Sequence, residues 1–146
     1  MDKCDLFQNI RSLLKQLLEQ IDKYTLSFSQ KDFFTFSDIE ERSKIYKHEY
    51  YTFICEFNAI YASLGQRISE IATLMLEADR SMDEEKTVLF NSIFEKHLLL
   101  EKELSVFTSA TEKELAKASA SVSLLLDSAN RLSISIKALS DTLPCT

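Results

Sequence analysis

The sequence predicts an all-α protein: an elongated antiparallel helical bundle of three principal long helices, the last interrupted near residues 108–114. Three observations carry this expectation. The 146 residues hold one glycine (Gly65), one proline (Pro144) and no tryptophan, so almost nothing breaks a helix. Apolar residues recur at alternating steps of three and four along most of the chain, the period of a helix with one buried face. The apolar share is 45%, enough for a packed core and well above what disorder requires. At this length the chain is expected to form one domain, residues 1–146.

The first helix is expected from about Asp5 to Ser29. Phe7, Ile10, Leu14, Leu17, Ile21, Tyr24 and Phe28 keep strict three-four spacing, and Leu6, Leu13 and Leu18 widen the stripe. A helix of that length is roughly 37 Å long at 1.5 Å per residue. It runs into Ser29–Ser37, where two N-cap signals compete: Asp32 ahead of Phe33, and Ser37 with Glu40 as a capping box. Either gives a short turn and an antiparallel neighbour.

The second helix carries Ile39, Tyr46, Tyr50, Phe53, Phe57, Ile60 and Leu64 in heptad rhythm, with Ser43 in the one polar slot. Nine of the fifteen aromatics lie between Phe33 and Tyr61. With Ile54 and Tyr61 on the adjacent face, this stripe is wide enough for two neighbouring helices. Gly65 either ends the helix as a C-cap residue or sits inside one that continues through Ile68, Ile71, Leu74, Met75 and Ala78.

A third start is signalled by Ser81 with Glu84, a second capping box, in an acidic stretch suited to the positive end of a helix dipole. Phe90, Ile93, His97, Leu100, Leu104 and Phe107 then share a face. The rhythm slips at Thr108–Glu114, where Thr111 and Glu114 match a third capping box, so an interruption is expected there. From Leu115 the stripe resumes as Ala118, Val122, Leu125, Ala129, Leu132, Ile136, Leu139 and Leu143, and Pro144 marks its end.

Charge and composition narrow the function classes. The net charge is −6, and no stretch gathers the basic residues a nucleic-acid face needs. No segment approaches the roughly 20 apolar residues of a membrane span. Asp2 and Asp5 at the start, with Lys15 and Glu19 inside the first apolar stretch, argue against a cleaved secretory signal. A cytoplasmic location is the expectation. Cys4, Cys55 and Cys145 are odd in number and far apart, which suggests neither a disulfide framework nor a zinc knuckle. Cys55 is expected as a small core residue, and Cys4 and Cys145 as free thiols.

Catalytic patterns are missing from the sequence. A di-iron bundle needs Glu-x-x-His pairs, but Phe94 precedes His97 by three residues and Ile45 precedes His48. Helical spacing does not bring Cys55 to His48 for a nucleophile pair. A single glycine cannot build a phosphate loop. The expectation is therefore a protein that is not an enzyme and uses no cofactor or metal.

Two features suggest binding. Phe33, Phe34 and Phe36 cluster at a turn, where they either close the bundle's end or contact a partner. The segment Leu115–Leu143 carries only Lys117, Asp127, Arg131, Lys137 and Asp141 as charges, and its flanks are Ser and Ala. Such a helix either lies deep in the bundle or docks on a partner helix.

The layout resembles the FlgN-type flagellar export chaperones. The resemblance lies in LLKQLLEQIDKYTLSFSQKDFFTFSDIEERSKIYKHEYYTF, in the SLG (Ser63-Leu64-Gly65) that would close the second helix, and in the terminal LLLDSANRLSISIKALS with Asn130-Arg131-Leu132. The second helix is more aromatic than that family's, and one Asn stands where two are common. The resemblance implies a cytoplasmic chaperone, monomeric or homodimeric, that binds hook–filament junction subunits before secretion. It further implies contact through a C-terminal amphipathic helix, 115–143, by Val122, Leu125, Leu126, Leu132, Ile136 and Leu139. The alternative is a self-associating helical scaffold or adaptor that uses the same stripe.

Overall fold

The computed structural model describes residues 3–29, 39–77 and 84–145. Four α-helices account for nearly all of them: α1 (Lys3–Ser29), α2 (Ile39–Glu77), α3 (Glu84–Leu115) and α4 (Val122–Thr142). The all-α expectation holds, but the count of three principal helices does not, because the interrupted last rod is two helices that fold back on each other. Asp32, Phe33, Phe34, Phe36, Ser37 and Ser81 lie outside the described residues.

Ring contacts fix the direction of each helix. Phe28 meets Tyr46 at 5.3 Å and Tyr24 stacks on Phe53 at 4.6 Å, so α1 and α2 run antiparallel. Phe7 faces Phe90 at 6.3 Å and Tyr24 faces Phe107 at 6.4 Å, so α3 runs parallel to α1. The last helix returns antiparallel to α3, packing on α3 and α1, and α2 also packs on α3. The result is an up-down-up-down bundle around one continuous core.

The stripes read from the sequence are the core. Phe7, Ile10, Leu14, Leu17, Ile21, Tyr24 and Phe28 of α1 are all buried, as are Tyr46, Tyr50, Phe53, Phe57 and Leu64 of α2. One end of the core is aromatic, with the Phe107 ring in contact with Tyr24, Tyr50 and Phe53, and Tyr24 stacked on Phe53. Such ring pairs add to simple burial through edge-to-face and offset geometry.

Gly65 does not end α2, which spans 39 residues. Its φ is not positive, and a Cβ built there meets nothing within 4 Å. The stripe continues past it through the buried Ile68 and Ile71, and this burial holds the helix together across the weak position.

The expected interruption at 108–114 falls later. Phe107, Thr111, Glu114 and Leu115 are buried and keep helical spacing, so α3 continues through them. The chain turns at 116–121 instead. Ser121 is the N-cap of α4, its side chain accepting the Leu124 N–H at 3.4 Å. Glu114 is not part of a capping box with Thr111. Its Oε1 accepts the Ser121 N–H at 2.8 Å and its Oε2 accepts Lys117 Nζ at 2.9 Å, tying the end of α3 to the start of α4. These bonds, the backbone one first, hold the Glu114 carboxyl below its usual range.

The cysteine expectations are overturned. Cys4 and Cys145 form a disulfide with a Cα–Cα distance of 5.6 Å. An even number of long helices brings the start of α1 and the tail after α4 to the same end. Cys55 is exposed and unpaired; the aromatic stripe of α2 points elsewhere, and Cys55 lies two residues after buried Phe53 and two before buried Phe57.

Candidate functional site

The last helix is the element on which the sequence places partner contact, and it is docked. Leu125 is 1% exposed, and Leu132, Ile136 and Leu139 are fully buried. These four expected contact residues belong to the core of the bundle as it stands. Val122 and Leu126 are half-buried against that core. Seven-residue periodicity identifies a stripe but not what covers it, and here α1 and α3 cover it.

What α4 and α3 leave uncovered is a different surface. Exposed apolar side chains include Val88, Leu98, Leu99 and Val106 of α3, and Leu124 and Ile134 of α4. Three of them border one seam. Leu99 and Val106 are seven residues apart and share a face of α3 with Glu103, which lies four after the first and three before the second. Glu103 Oε2 lies 3.9 Å from Arg131 Nη2 of α4, so this face abuts α4. Leu124 is seven residues before Arg131 and lies on the matching edge of α4. At 3.9 Å with Arg131 largely exposed, the ion pair contributes little stability, but it marks the register.

Small residues complete this seam. Ser128, Ser135 and Ala138 are half-buried on the α4 side, and a groove of about 300 Å³ opens between Ala110, Lys113 and Glu114 of α3 and Leu124, Leu125 and Ser128 of α4. Ser128, Ser135 and Ala138 let another helix approach the α4 side closely, whereas Lys113 and Lys117 at the rim of the groove would have to be displaced.

Among the described residues the titratable groups do not converge on a reactive arrangement. His97 is half-buried, its ring stacked on Tyr61 with centroids 6.1 Å apart. Burial lowers its pKa, opposed by the nearby Glu101. His48 is exposed. Among the described residues no group of three or more His, Cys, Asp or Glu is placed to hold a metal ion, and no helix is long and apolar enough to cross a membrane.

Sequence reasoning missed Leu99 and Val106. A signal was present in the run Leu98–Leu100, where only Leu100 fits the heptad and is buried; two consecutive leucines off the stripe of a helix are surplus to its own core. Searches against protein-family models, curated proteins and solved structures find no match to this chain.

Proposed function

We propose that this chain is a non-enzymatic binding protein, a cytoplasmic export or assembly chaperone of the FlgN kind. Its partner would be the helical terminus of a hook–filament junction subunit, held before secretion. The observation that supports the reading is the apolar seam along α3 and α4, where Leu99, Val106 and Leu124 stand about half exposed beside Ser and Ala flanks. An amphipathic helix laid along it would bury these side chains at roughly 25 cal/mol per Å² of apolar area. Covering a subunit's apolar helix in this way prevents premature association. Leu125, Leu132, Ile136 and Leu139 take part only if α4 undocks, while Val122 and Leu126 are partly accessible without that step.

The test is a calorimetric titration of a hook–filament junction subunit from the same organism into the intact chain and into Leu99→Asp/Leu124→Asp. Both positions are exposed, so the circular dichroism spectrum is expected to stay unchanged while affinity drops at least tenfold. Equal binding by both forms would reject the seam. No binding by either form, with dimerisation as concentration rises, would favour the self-associating scaffold.

A further inference from the structure

We propose that Cys4 and Cys145 form a redox-sensitive latch that fastens the end of α4 to α1. The inference stands apart from the partner's identity and rests on three features of one end of the bundle.

The bond joins residues 141 apart in sequence, at the point where the first turn of α1 meets the tail after α4. Around it, α1 grips that tail by its carbonyls. Arg11 Nη2 donates to Leu143 O at 3.2 Å and to Pro144 O at 2.9 Å, Arg11 Nη1 donates to Cys145 O at 3.4 Å, and Gln8 Nε2 donates to Cys145 O. Finally, Cys145 has φ 63°, in the left-handed region that residues other than glycine disfavour. The covalent bond and the grip by Gln8 and Arg11 hold it there. Once the bond opens, the residue is free to relax to an extended conformation and the tail loses its covalent anchor.

The two cysteines are not equally exposed. Cys4 is exposed, whereas Cys145 is half-buried against the core. A dithiol reductant therefore attacks at Cys4. One of its thiols loses a proton and, as thiolate, attacks Cys4 Sγ. The Cys4–Cys145 bond breaks, and Cys145 leaves as a thiolate that takes up a proton. The reductant's second thiol, deprotonated in turn, displaces Cys4 from the mixed disulfide, and Cys4 is protonated. Two electrons pass to the protein, which ends with two thiols, and the reductant ends as a disulfide. A small-molecule disulfide such as oxidised glutathione reverses the change.

The closed latch holds Leu139 and Leu143 in the core and so keeps the stripe of α4 covered. With the latch open, the last turns of α4 are held by packing and by the hydrogen bonds from Gln8 and Arg11 alone, and they open locally more often.

Hydrogen exchange followed by mass spectrometry tests this on the full chain carrying Cys55→Ser, which removes the exposed third thiol. The chain is compared after treatment with oxidised glutathione, after reduction with dithiothreitol, and as the additional Cys4→Ser variant. The expected result is exchange at least tenfold faster across residues 136–145 in the reduced chain and in Cys4→Ser, with the centre of α2 unchanged. Equal exchange in the oxidised and reduced chains would overturn the latch. So would failure of Cys4 and Cys145 to pair under oxidised glutathione, read as alkylation of both thiols. Faster exchange throughout the bundle on reduction would also overturn it, showing a global brace instead of a local latch.

Discussion

Replacing Ile136 by alanine separates a docked α4 from a free one, and Ile134 supplies the control. The two isoleucines lie two residues apart on the same helix, yet Ile136 is 0% exposed and Ile134 is 58% exposed. Ile136→Ala removes three carbons from the core. At about 0.8 kcal/mol per buried methylene the transfer loss is about 2.4 kcal/mol, and the cavity left behind raises the total to about 3–4 kcal/mol. Ile134→Ala removes carbons already in water and is expected to change stability by no more than about 0.5 kcal/mol. Urea unfolding of the oxidised chain, read by circular dichroism, gives both numbers. With a slope of about 2 kcal/mol per M, Ile136→Ala lowers the midpoint by about 1.5–2 M and Ile134→Ala hardly moves it. A loss below about 1 kcal/mol at Ile136, or equal losses at both sites, would refute the docked position of α4.

Further expectations concern the helix interior, the buried phenols and the α3–α4 turn. Gly65→Ala is expected to stabilise the chain by about 0.5–1 kcal/mol, raising the melting temperature by about 1–4 °C, because Gly65 is helical with open space at its Cβ position; a lower melting temperature would contradict that. Burial pushes the phenols of Tyr24 and Tyr50 upward, and that of Tyr61 up to about 12. The unfolded chain therefore releases these protons first, so their contribution is complete below the ordinary phenol value of 10.0 and is lost as pH climbs, through about 12 for Tyr61. Tyrosinate absorbance is expected to rise together with loss of helix, and a rise that precedes unfolding with an ordinary midpoint would refute the burial. On the acid side the sign reverses for His97 and Glu114, whose lowered values make their contributions present above the usual pKa and lost as pH falls below it. Glu114→Gln is expected to speed amide exchange at Ser121 and Leu125 selectively, and unchanged exchange there would show that the carboxylate does not organise the turn.

Helix type and core were legible because both follow from local periodicity. The α1 stripe from Phe7 to Phe28 and the α4 stripe from Leu125 to Leu143 are buried where the spacing places them. Helix number was not legible, because the slip at Thr108–Glu114 looks like a capping signal, whereas burial of Thr111 and Leu115 carries α3 on to a turn made by Ser121 and the remote carboxylate of Glu114. The Cys4–Cys145 pairing depended on that count. Three rods would have put these residues at opposite ends of the bundle, and four put them together. The α4 stripe was recognised, but which surface covers an apolar stripe is a tertiary fact that a single helix does not encode. The outer seam was hidden for a related reason: it is shared between Leu99 and Val106 on one helix and Leu124 on another, and their alignment along one face exists only after α3 and α4 pack.

The most direct measurement for the binding account is a hydrogen-exchange footprint of the oxidised chain with and without a hook–filament junction subunit. The account predicts added protection in the stretches around Leu99–Val106 and Leu124–Arg131, and none along the outer faces of α1 and α2. Protection confined to α1 and α2, or a footprint identical to that of the free chain at saturating subunit, would contradict it.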